Sequence, residues 1–70
     1  MKLTEDKVIL TEDELSLVKR ANMMASPTTA GLMLKNLVSN NTLTEDADQK
    51  DLNYYVQVIL NYRRKNFEVI

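Results

Sequence analysis

From Leu15 onward the apolar residues of this 70-residue chain recur at helical spacing. At roughly 100° per residue, Leu15, Leu17, Val18, Ala21, Met24 and Ala25 share one half of a helical wheel. Ser16, Lys19 and Arg20 take the other half, and Met23 falls among them. Just upstream, Thr11 offers an N-cap oxygen, Glu14 three residues on completes a capping box, and Leu10 can staple against Leu15. The pattern predicts a first helix over about 12–25.

Ser26-Pro27 interrupts the pattern. Proline disfavours α geometry in the residue before it and is itself favoured at the first helical position, so Ser26 reads as the N-cap of a second helix over 27–39. Ala30, Met33, Leu34, Leu37 and Val38 form its apolar stripe, while Leu32 projects from the polar side. Gly31 costs about 1 kcal/mol against alanine in a helix and fits only where something packs close to it. Asn40-Asn41 ends the segment, because asparagine tolerates the left-handed backbone a turn needs. A third helix is expected over 45–65. Its apolar residues, from Leu52 through Tyr54, Tyr55, Val56, Val58, Ile59 and Leu60 to Tyr62, cover roughly 240° of the wheel, against the 100° or so that one packed face needs.

The tetrapeptide Leu-Thr-Glu-Asp occurs three times, at Leu3–Asp6, Leu10–Asp13 and Leu43–Asp46. Each copy reads as a helix start, with threonine as cap and two acids against the positive end of the helix dipole. The other reading, an acidic patch for a cation or a basic partner, lacks support from spacing. Asp46-Ala47-Asp48 with Asp51 has neither the glycine nor the distal glutamate of a calcium loop. Two segments, 7–10 and 66–70, are strand-like and could pair as a ribbon joining the two ends. The expected fold is therefore mainly α: one small domain over 1–70, a three-helix bundle with a long C-terminal helix, with such a ribbon as an optional addition. Val18, Ala21, Leu34, Val38 and Ile59, with Leu15, Leu37, Leu52 and Val56, are its expected core.

Composition narrows the chemistry. The chain has no cysteine or histidine, so neither a disulfide nor the usual zinc sites can staple so small a core. The same absence removes the commonest general base and the thiol nucleophile. A single glycine excludes glycine-rich phosphate loops. The expectation is no enzyme, no catalytic residue, no metal, no cofactor and no small-molecule substrate. No apolar run approaches the ~20 residues that span a bilayer, and residues 1–10 lack a signal-peptide pattern. A cytoplasmic protein that does not enter membranes is expected.

A net charge of −1 gives no overall attraction to nucleic acid. Its distribution says more. Acids gather at helix starts and bases at helix ends, as the dipole favours. Beyond that pattern, Arg63-Arg64-Lys65 beside Tyr62 and Phe67 is a cationic cluster interleaved with aromatics, suited to a phosphate or an acidic partner.

Apolar surface beyond what one core can use usually marks an interface. The expected function is accordingly a small protein–protein interaction module: an adaptor, inhibitor or regulator of a larger protein machine, of the size common among phage and plasmid proteins. Its partner is a protein or a second copy in a homodimer, and Tyr54, Tyr55, Val58 and Tyr62, rimmed by Arg63 and Arg64 and joined by Met23 and Leu32, are the candidate partner-binding residues. The alternative is a helix-turn-helix DNA-binding regulator with helix 27–39 in the major groove, presenting Thr28, Thr29, Leu32, Lys35 and Asn36. With one lysine, no arginine and an acidic chain, that face is poorly equipped to clamp phosphates.

Overall fold

The Leu-Thr-Glu-Asp repeats show how neighbouring residues decide local structure. In a computed structural model, which describes residues 1–41 and 50–70, the second copy is a helix cap and the first is a turn. Thr11 Oγ1 accepts from the Glu14 amide at 3.2 Å, and Glu14 Oε1 accepts from the Thr11 amide at 2.8 Å. These bonds start α1, Glu12–Ala21. Three residues after Thr4 stands Lys7, which cannot return such a bond. There Thr4 Oγ1 accepts from the Lys7 amide at 3.0 Å and donates to the Lys7 carbonyl, folding the chain back on itself. The turn joins β1, Lys2–Leu3, to β2, Val8–Leu10. The helix start expected at Thr4 is thus corrected; the third copy lies outside the described residues.

Two further helices and a third strand follow: α2, Pro27–Asn40, α3, Leu52–Arg63, and β3, Phe67–Val69. The sheet order is β1-β2-β3, with β1 antiparallel and β3 parallel to β2. A parallel pair needs a crossover connection. Here all three helices supply it. In register, Val8 faces Phe67 and Leu10 faces Val69, and the Ile70 amide donates to the Leu10 carbonyl at 2.9 Å.

The fold is therefore a small α+β fold, three helices with a three-stranded mixed sheet among the described residues, and not a three-helix bundle carrying a ribbon. The difference lies in where the core sits. Val8 and Leu10 are fully buried and belong to the same cluster as Leu34, Val58 and Ile59. The sheet is one wall of the core; α1 and α3 pack on β2, and α2 packs across both helices. Expected core residues Val18, Ala21, Leu34, Val38 and Ile59 are buried, while Leu15, Leu37, Leu52 and Val56 are half-buried.

Helix limits also differ. α1 ends at Ala21 and not at residue 25, because the chain tightens there: the amides of Met23 and Met24 donate three residues back, to the Arg20 and Ala21 carbonyls. α3 begins at Leu52, where Asp51 Oδ1 accepts from the Tyr54 amide at 2.9 Å as an N-cap. Residues 45–49 of the longer expected helix lie outside the described residues. Gly31 sits where α2 meets α3. A Cβ there would lie 2.6 Å from Val56 Cγ2 and 2.9 Å from the Val56 backbone nitrogen.

Candidate functional site

Arg63 closes α3 and also ties the helix to the turn after α1. Its Nε donates to Asn22 Oδ1 at 2.7 Å, and its two terminal nitrogens donate to the Met24 and Ala25 carbonyls at 2.6 and 3.0 Å. A guanidinium suits this work, since its fixed fork satisfies several carbonyls that have left the helix ladder. The bonds bring the C-terminal ends of α1 and α3 side by side. Immediately beyond, the Lys65 amide donates to the Tyr62 carbonyl and the Asn66 amide to the Asn61 carbonyl. This is a Schellman ending, with Lys65 at φ 63° in the left-handed position that glycine usually fills.

The ending turns the chain so that Phe67, the first residue of β3, folds back onto Tyr62. Their ring centroids are 4.9 Å apart. Asn22, Tyr62, Arg63, Lys65 and Phe67 thereby line one groove of about 530 Å³. Its lining holds two aromatic rings, two cations and an amide, and no acid. Met23, next to Asn22, is 83% exposed, and Met24 is partly exposed as well. Lys19 and Arg20 lie in the last turn of α1, and Arg64 and Lys65 follow α3; all four are exposed. The ion pairs among the described residues lie elsewhere, Met1 with Glu14 and Lys7 with Glu68, so none neutralises these cations.

The eight residues singled out in the sequence divide into separate environments. Tyr55 and Val58 are buried in the core and are not available to a partner. Tyr54 is half-buried; its hydroxyl donates to the Met1 carbonyl at 3.2 Å, and its ring meets Tyr55 edge-on. Burial pushes the Tyr54 hydroxyl above its usual pKa, against a smaller opposing effect from a backbone bond with Leu3. Tyr62 and Arg63 line the groove, and Arg64 and Met23 stand exposed beside its lining residues. Leu32 is exposed on α2, separate from that lining. The wide apolar arc of α3 thus packs in part within the molecule, against α2 and against strands β1 and β2.

Asn22 carries no signal in the sequence that would place it at the groove. Arg63 does: at roughly 100° per residue it falls inside the apolar arc of α3, between Val56 and Ile59, which marks a cation turned toward the protein. For the alternative reading, Thr28, Thr29, Leu32 and Asn36 are exposed on α2 and Lys35 is half-buried. Among the described residues no group of three carboxylates is placed to hold a metal ion, and no helix is long and apolar enough to cross a membrane.

No family model, curated protein or solved structure matches the chain.

Proposed function

We propose that this protein is a non-enzymatic protein–protein interaction module. It works by docking a partner protein at the joined ends of α1 and α3. The observation that carries the reading is the groove itself, an open concavity of about 530 Å³ lined in part by Tyr62 and Phe67, with exposed Met23 next in sequence to its lining residue Asn22. Aromatic rings, methionine and arginine are the residue types that interface centres favour. Flexible methionines also adapt to a partner surface without a fixed shape of their own. In this reading Arg63 holds the groove's walls together, and the partner meets Tyr62, Phe67, Lys65 and Met23. Such a module would serve as an adaptor, inhibitor or regulator of a larger assembly.

Photo-crosslinking in the source cell tests this. A photoreactive residue in place of Met23 is expected to give a discrete protein adduct, while one in place of Thr28 on α2 gives none. Adducts with nucleic acid from Thr28, and none with protein from Met23, would establish the DNA-binding reading instead.

A further inference from the structure

We infer that the occupant of the groove is an acidic peptide segment carrying an apolar anchor residue. The inference rests on the docking reading above and goes further by stating the partner's chemistry. Three observations converge on it. The lining contains Lys65, the charge of Arg63 (whose guanidinium nitrogens already donate to Asn22, Met24 and Ala25) and no carboxylate, and Lys19, Arg20 and Arg64 stand exposed on the same two helix ends. None of these cations is in an ion pair among the described residues. The Tyr62–Phe67 ring pair gives the same groove apolar lining, and its volume of about 530 Å³ takes one or two side chains and not a large surface.

Lys65 adds the third observation. It occupies a left-handed position where a non-glycine residue is disfavoured, by roughly 1 kcal/mol, and where glycine would serve the helix ending better. Strain of this kind persists where surrounding structure holds it, and it is frequent at ligand-contacting positions. Here the strained residue is one of those that line the groove. A carboxylate-bearing segment would find its charges matched at the rim while its anchor leaves water against the rings. An acidic segment is favoured over a nucleic acid because only five of the nine lysines and arginines, Lys19, Arg20, Arg63, Arg64 and Lys65, lie at these helix ends, and the chain as a whole carries a net charge of −1.

The experiment is an NMR titration of the isotope-labelled protein with two synthetic peptides. Both carry a central Leu-Phe pair; one is flanked by Glu and Asp, the other by Gln and Asn. The acidic peptide is expected to shift the amides of Asn22, Tyr62, Lys65 and Phe67, with an affinity that falls as salt is raised. Lys65→Gly is expected to leave the melting temperature unchanged or raised, yet to weaken this binding by about tenfold. That combination separates a lost contact from a lost fold. If the neutral peptide occupies the groove equally well, the acidic specificity is overturned while the docking reading stands. If neither peptide shifts these amides, or if sedimentation shows a second copy filling the groove, the inference fails; the crosslinking at Met23 then decides the docking reading on its own. Preferential binding of a random duplex oligonucleotide to the same amides overturns both.

Discussion

Glu14 joins three parts of the molecule through one carboxylate. One oxygen accepts from the Thr11 amide and starts α1; the other pairs with the Met1 ammonium, and both charged groups are almost wholly buried. The capping role was legible, since Thr11 and Glu14 have the spacing of a capping box. The ion pair was not, because nothing in the local sequence announces that β1 brings Met1 across to α1. A buried charge left without its partner is costly, so Glu14→Ala is expected to lower stability by about 3 kcal/mol or more. Glu14→Gln keeps an oxygen for the Thr11 amide and should recover about 1 kcal/mol of that loss. Urea melts of the two variants measure the difference. Equal losses would mean that the cap contributes nothing beyond the ion pair.

At the level of elements, the close approach of α2 and α3 at Gly31 determines how the helices fit. In an isolated helix, alanine would stabilise this position by about 1 kcal/mol over glycine. In the protein its Cβ would press on the backbone of Val56, which cannot move without displacing α3. Overpacking of this kind typically costs about 1–3 kcal/mol, so Gly31→Ala is expected to lower the melting temperature despite the better propensity. A raised melting temperature would show that the helices separate freely. The need for a close neighbour at Gly31 could be read from the sequence; that the neighbour is Val56 could not. Helix ends were less legible than helix cores. The apolar spacing of α1 continues to Ala25, but the chain tightens after Ala21, and Arg63 from another element then caps the Met24 and Ala25 carbonyls.

For the whole molecule, the helical periodicity was readable and the architecture was not. Segments 7–10 and 66–70 read as strands that could pair, and β2 and β3 within them do pair; β1, only Lys2 and Leu3, gives no alternation to detect, so the three-stranded sheet was not legible. Without the sheet, the apolar arc of α3 looks too wide for one domain and points outward, to a partner. With the sheet in place, Tyr55 and Val58 are core and the argument for an interface moves to the groove. The cationic and aromatic cluster at Tyr62, Arg63, Lys65 and Phe67 was visible as neighbours in sequence. What the fold adds is Asn22 and the turn after α1, brought there by hydrogen bonds between distant elements.

The parallel pairing of β2 with β3 also has a consequence for the order in which the protein assembles. Val8 and Phe67 lie at opposite ends of the chain, and closing a loop of that length carries an entropic penalty that local helix contacts do not. The α2–α3 contact should form early and the strand pair late. Truncation at Leu34, in the helical core, is then expected to slow folding, whereas Val8→Ala should chiefly speed unfolding. Stopped-flow chevrons for Leu34→Ala and Val8→Ala test this, and a reversed assignment would place the sheet in the nucleus. Late pairing also means early release. In the native protein, deuterium should enter the Val8 and Ile70 amides, which bridge the two strands, ahead of the interior amides of α2. Phe67 would leave Tyr62 in the same opening, so the groove would exist only while the sheet is closed.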